Sequence, residues 1–170
     1  MVNIGAMNKE AIIRQLQLQP HPNEGGFFTR TYQSANAIRQ ADVERRLATA
    51  IYYLLTDDNP VGFMHRNRSD IVHCHHLGGA IRYILVDEHG NSEERILGSN
   101  ILQGEQPQLV VKGGVWKIAE LTEGGFGLIT EVVSPGFDYA DNEMATLHGI
   151  AEQFPGLHQQ LAPYIAEVAL

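Results

Sequence analysis

Ile71-Val72-His73-Cys74-His75-His76-Leu77-Gly78-Gly79-Ala80-Ile81-Arg82-Tyr83-Ile84-Leu85-Val86-Asp87-Glu88-His89-Gly90-Asn91 decides the fold class. Ile71–His76 and Ile81–Val86 are rich in β-branched and aromatic residues and read as strands. The second run meets a turn at Asp87 to Asn91, which carries the Gly90-Asn91 hairpin signal and leads into a strand at Arg95–Leu97. The pattern repeats outward. Phe27–Gln33 and Thr49–Leu55 precede it, and Leu109–Val111, Val115–Leu121 and Phe126–Val133 follow, bounded by glycines. Roughly eight or nine short strands with regular turn signals predict a mainly β sandwich or barrel. No helical stretch separates them, which argues against an α/β parallel sheet.

Helical periodicity is confined to the two ends. Ile12, Ile13 and Leu16 recur at helical spacing behind an N-cap candidate, Asn8, and Pro20 and Pro22 close a short helix over Asn8–Leu18. Ser34–Arg46 is polar and weakly patterned and reads as a long loop. Glu143–Phe154 and Leu157–Val168 predict two C-terminal helices split at Pro155-Gly156. Their apolar residues, Met144, Leu147, Ile150, Phe154 and Leu157, are expected to cover the outside of the barrel.

The 170 residues fit one domain over 1–170, with no linker or repeat. A net charge of −8, with only short basic runs such as Arg45-Arg46 and Arg66-Asn67-Arg68, argues against nucleic acid as a partner. One cysteine, Cys74, allows neither an intrachain disulfide nor a cysteine zinc cluster. No apolar run approaches the roughly 20 residues of a membrane span, and Met1 to Lys9 does not read as a secretion signal. A cytoplasmic protein with no membrane partner is the expectation.

Four of the eight histidines fall between His65 and His76. Histidine is both a common metal ligand and a base near neutral pKa. Side chains alternate along a strand, so His73 and His75 share one face and Cys74 and His76 the other. Either pair is a potential chelate, but no third ligand is evident, and no metal is favoured. A divalent metal would use His73 and His75, or Cys74 and His76. Cys74 itself reads as a small buried side chain.

Five blocks occur in order: Pro20-His21-Pro22-Asn23-Glu24-Gly25-Gly26-Phe27-Phe28, Ala50–Leu55, His65-Arg66, Pro107–Trp116 and Val133-Ser134-Pro135-Gly136-Phe137-Asp138. This series resembles a cupin-5 type branch of the cupin superfamily, similar to the sugar-nucleotide epimerases that make dTDP-rhamnose. The resemblance implies a double-stranded β-helix, or jelly-roll barrel, paired as a homodimer, binding a small polar ligand such as a carbohydrate. It departs from the metal-binding cupin pattern twice. No glutamate follows His76 in Leu77-Gly78-Gly79-Ala80-Ile81, and Lys117 stands where that pattern places a histidine.

The resemblance points to His65 as general base, with His73 second and Tyr52 as the aromatic hydroxyl at the site. Tyr52 and Tyr53 face opposite sides of one strand, so only one lines the interior. Arg66 is a candidate grip for a phosphate or carboxylate, with a surface ion pair as its structural alternative. Glu24 either points into the barrel mouth or caps its turn. Gln108, Trp116 and Lys117 are further ligand-binding candidates from the second motif, Trp116 being equally readable as core. Asp138 is expected to cap the segment that follows it or to bond an arginine. Three functions remain open: a metal-independent isomerase or epimerase, a metal-dependent oxidoreductase, and a non-catalytic ligand-binding or storage-like cupin.

Overall fold

The structure is a computed structural model that describes residues 7–40 and 42–166. Its strands, in chain order, begin with β1 (Gln19–Pro20), β2 (Phe27–Gln33), β3 (Ala37–Gln40), β4 (Val43–Arg46), β5 (Thr49–Thr56) and β6 (Val61–Asn67). They continue with β7 (Asp70–Gly78), β8 (Ile81–Val86), β9 (Ser92–Leu97), β10 (Gln108–Val111), β11 (Trp116–Leu121), β12 (Phe126–Ser134) and β13 (Asn142–Met144). The expected mainly β jelly roll is what the chain forms. One sheet runs β1-β2-β5-β12-β7-β10 and the other β13-β6-β11-β8-β9, with antiparallel pairing between neighbours.

Alternation along the strands sorts three apolar layers. Tyr53, Leu55, Ile129, Leu109 and Val111 meet Ile81, Tyr83, Leu85, Ala119 and Leu121 between the two sheets. Leu54 and Leu128, one residue out of phase, face away and pack under the N-terminal helix with Ile12 and Leu18. Met64, Ile84, Val86, Trp116 and Ile118 face away from the other sheet and meet Ile150, Phe154 and Leu161 of the C-terminal segments. The helices are therefore clamps on the outer faces, and the space between the sheets is left to strand side chains.

Several boundaries differ from the sequence reading. The first helix, α1, spans Lys9–Gln15, and the Asn8 side chain accepts from the Ala11 amide at 2.9 Å, as a cap does. It stops well before Pro20, where Gln17 takes a φ of 55°. The polar stretch read as a loop contains the β3–β4 hairpin, whose strands pair only with each other and so have no buried face to mark them. Val61–Asn67 is a strand that periodicity missed, because its inward positions carry polar groups. Met144 lies in β13, paired with His65 of β6, instead of in a helix. Helices follow at α2 (Leu147–Gln153) and α3 (His158–Leu161), with a turn between them at Pro155 and Gly156 as expected. Residues 1–6 and the end of the last expected helix, from 167 on, lie outside the described residues. No helix among the described residues is long and apolar enough to cross a membrane.

Candidate functional site

The site begins at the Glu24-Gly25-Gly26 turn between β1 and β2. Gly25 and Gly26 take positive φ of 80° and 66°, and a Cβ on Gly25 would stand 2.4 Å from the Val61 carbonyl oxygen. Only glycine lets the turn lie this close to β6. The closeness turns the Glu24 side chain inward, where it is 5% exposed. Asn142 of β13 donates to Glu24 Oε1 at 2.9 Å, and His65 Nε2 of β6 stands 3.4 Å from Oε2.

His65 Nδ1 lies 2.6 Å from the Phe63 carbonyl oxygen. A carbonyl only accepts, so Nδ1 carries the proton and, in the neutral ring, Nε2 is the basic nitrogen. Burial depresses the pKa of His65, and the Lys117 ammonium adds to this against the opposing pull of Glu24. A neutral imidazole thus presents its free lone pair to the space beside a carboxylate. His21 is fixed in the other sense. Its Nδ1 accepts from the Glu24 amide at 2.9 Å, so its proton sits on Nε2, 3.7 Å from Glu24 Oε2.

A second polar group lies deeper. Lys117 of β11 is 3% exposed and its Nζ is 3.4 Å from Glu131 Oε1. His73 Nδ1 is 3.2 Å from the same carboxylate oxygen and 3.1 Å from the Tyr83 hydroxyl. Burial pushes the Glu131 pKa up, but the Lys117 ammonium and His73 outweigh it and hold the carboxyl far below its usual range. Burial first, then Lys117, depress His73, so it is neutral, with Nδ1–H donated to Glu131. Tyr53 and Tyr83 are pushed well above 10.0, first by burial, and stay protonated.

His21, Glu24, His65, Asn67, Lys117, Glu131 and Asn142 share one cavity whose apolar wall is Phe28, Ile51, Ile71 and Val133. Its free space is about 30 Å³. Arg30, Phe137 and Tyr139 stand at its rim. The segment carrying the two aromatics is held by Phe137 N–H to Oγ1 of the buried Thr49 at 2.9 Å and by Arg45, which donates to Asp141 at 2.7 and 3.0 Å. Asp138 accepts from the Ala140 amide at 2.9 Å and lies 4.0 Å from Arg45.

Of the residues singled out in sequence, the structure brings Glu24, His65 and Lys117 together at this cavity, with His73 just behind it. The others lie elsewhere. Tyr52 is on the outer face, edge-on to His76, and Tyr53 is the inward tyrosine, donating to the Gly25 carbonyl at 3.0 Å. Arg66 points outward, donates to Glu143 at 2.7 Å and lies 4.5 Å over the Trp116 ring. Trp116 is the floor of the C-terminal helical layer. Gln108 sits on the edge strand beside Cys74 Sγ at 3.7 Å.

Sequence reasoning missed His21, Asn67, Glu131 and Asn142. Parity carried a signal for one of them: Glu131 alternates in phase with Ile129 and Val133, which places a lone carboxylate among core positions.

A metal of the kind many cupins hold does not fit these donors. His75 Nε2 donates to the Gly79 carbonyl at 3.1 Å, and His76 is drawn to Thr130 on the outer face at a bulge in the β7–β12 ladder. His73 therefore has no chelating partner on its strand, and an ammonium shares its carboxylate. His21 presents an N–H, not a lone pair, to Glu24. No cluster of three or more His, Cys, Asp or Glu side chains able to hold a metal occurs among the described residues.

Two packed antiparallel sheets with polar side chains gathered between them are the jelly roll of the cupins. Residues 10–145 match the family described as "Cupin superfamily (DUF985)", and the chain belongs to it. It is 36% identical over 149 residues to "Uncharacterized protein YML079W" of Saccharomyces cerevisiae, covering 78% of this chain and 73% of that one. Among solved structures it is similar to a hypothetical protein from Leishmania major, at a TM-score of 0.88 and 27% identity over 95% of this chain and all of that one. A protein from Shewanella oneidensis gives a TM-score of 0.86 at 28% identity, over 94% and 98% of the two chains.

Proposed function

We propose that this cupin is a metal-independent proton-transfer enzyme of the isomerase or epimerase type, acting on a small polar carbonyl compound of the carbohydrate class. The observation that carries the reading is the 2.6 Å bond from His65 Nδ1 to the Phe63 carbonyl, which leaves Nε2 as a neutral base facing the cavity. Nε2 takes a proton from the carbon beside the carbonyl, and the electron pair moves onto the carbonyl oxygen as an enolate. The Lys117 ammonium stabilises that oxygen, and Glu24 stabilises the imidazolium. Protonation of the same carbon from the other face by water, with the His65 proton released to solvent, inverts it; return of the His65 proton to the neighbouring carbon, after the enolate shifts its hydroxyl proton, isomerises it.

A sugar or sugar nucleotide, the finer expectation, is part of this proposal. A free space of about 30 Å³ holds only a few ligand atoms, so a full sugar ring enters with the Phe137–Tyr139 segment swung aside. The apolar wall of Phe28, Ile51, Ile71 and Val133 favours a second reading, a binding protein without chemistry. Incubating the protein in D2O with glyceraldehyde, dihydroxyacetone and free aldoses, and following C–H exchange by NMR, separates the two. Exchange that His65→Ala abolishes supports catalysis; binding without exchange replaces it with the second reading.

The homodimer is likewise a proposal. Strand β10 closes one sheet with an open edge, and Val110 on it is 46% exposed. Such an edge is a template for a second strand. Light scattering at twice the chain mass supports pairing, and a monomer mass refutes it.

A further inference from the structure

Two buried polar atoms at the cavity have no hydrogen-bond partner among the described residues: Asn67 Nδ2 and Asn142 Oδ1. Their identities are fixed by the bonds that each amide already makes. Asn67 Oδ1 accepts from the Ser69 amide at 2.9 Å, so the free atom is its NH2 group, a donor. Asn142 Nδ2 donates to Glu24 Oε1, so the free atom is its carbonyl oxygen, an acceptor.

The two residues sit directly opposite each other on paired strands β6 and β13, and both line the cavity that holds His65 and Glu24. Asn67 is 5% exposed. A buried amide atom left without a partner is costly, and a free donor and a free acceptor on facing residues match a single group that both accepts and donates.

We propose that Asn67 and Asn142 form a hydroxyl-reading subsite, so that the ligand is an α-hydroxy carbonyl compound. The ligand hydroxyl accepts from Asn67 Nδ2 and donates to Asn142 Oδ1. Because Asn142 also holds Glu24, the same residue couples the hydroxyl to the carboxylate beside the base. The carbon carrying that hydroxyl is then the one set beside His65, and its proton is the one removed. A ketone or aldehyde without the hydroxyl leaves both amides unpaired and binds poorly, as sites built to bond a hydroxyl reject analogues lacking it. The inference rests on the proton-transfer reading for its second half, the choice of carbon, and stands alone for the first.

The test uses two probes, hydroxyacetone and acetone, which share a carbonyl and differ in the hydroxyl. The full-length protein, labelled with ¹⁵N, is titrated with each while the side-chain amides of Asn67 and Asn142 are followed by NMR. Asn67→Asp is the informative variant, since it keeps the acceptor for Ser69 and removes the NH2 donor. Asn67→Ser, which also retains a short acceptor, guards against an effect of the added charge, and thermal melts verify that both variants fold. Hydroxyacetone is expected to shift both amides and to bind at least about tenfold more tightly than acetone, an advantage lost in both variants. Equal binding of the two ketones, or no shift of either amide at saturating probe, overturns the subsite and leaves ordered water as its occupant. Exchange of the probe C–H in D2O is read in the same samples. Hydroxyl-selective binding without exchange removes the proton-transfer reading and keeps the subsite; equal exchange on both ketones does the reverse.

Discussion

His65 Nε2 stands 3.4 Å from Glu24 Oε2, and the other nitrogen of the ring is tied to the backbone of its own strand. The pair is thus a base with a fixed tautomer beside a carboxylate that can share whatever proton the base picks up. Replacing His65 by alanine removes the base and leaves the Glu24–Asn142 bond in place. Proton exchange on an accepted carbonyl compound is expected to fall about 10²–10⁴-fold, with the fold retained. Exchange rates by NMR, compared with a thermal melt of the variant, check both halves.

Lys117 and Glu131 form a buried ion pair between the sheets. Lys117→Met leaves the carboxylate without its cation and is expected to cost about 3–5 kcal/mol. Adding Glu131→Gln removes the stranded charge and is expected to recover a large part of that loss. Urea unfolding of the single and double variants measures the coupling. Additive losses would mean that the two side chains do not hold each other.

Stability is expected to fall with acid in two stages. His65 and His73 are buried with pKa values below the ordinary 6.5, so the unfolded chain takes up their protons first. Their contribution is complete above about pH 6.5 and is lost as the pH drops from there toward the folded values. Glu131, also depressed from its ordinary 4.5, adds a second loss that begins only below that value. Melting temperatures from pH 8 to 3 should show a first decline that weakens in His73→Gln and a later one that it does not touch.

Arg45 latches the segment that carries Phe137 and Tyr139 through two bonds to Asp141. Bonds in which both partners are charged are the stronger kind of side-chain hydrogen bond. Arg45→Gln should therefore speed hydrogen exchange of the amides at 136–141 by about tenfold or more while the barrel strands keep their protection. Uniform acceleration across the barrel would show that Arg45 supports the whole fold and not the rim.

Trp116 lies under Arg66 and against Phe154, on the far side of its sheet from the cavity. Trp116→Phe is expected to lower stability by about 1–3 kcal/mol and to leave ligand affinity unchanged. A loss of affinity at intact stability would return Trp116 to the binding site that the sequence suggested for it.

How much of this was legible in the sequence follows from what each residue does. Strands buried on both faces, such as β5, β8 and β12, announce themselves as short apolar runs rich in β-branched and aromatic residues, and their limits were close. The β3–β4 hairpin has no buried face, and β6 spends its inward positions on His65 and Asn67, so neither shows the apolar period that marks a strand. Within the site, His65 and Glu24 could be found from the ordered blocks. The facing direction of Tyr52, Tyr53 and Arg66 could not, because a register decides it and registers are set by partners far away in the chain. His21 and Asn142 gave no local sign, since their roles exist only through Glu24.

The hydrogen bond between Glu24 and Asn142 spans 118 residues, and His65, Lys117 and Glu131 come from three further strands between them. No single hairpin of this chain contains half of the cavity, whose lining runs from His21 to Asn142. The site is thus assembled only by contacts distant along the chain, which form slowly in β topologies. Ligand binding would then report folding of the whole barrel, and during synthesis the pocket would stay chemically silent until Asn142 had emerged.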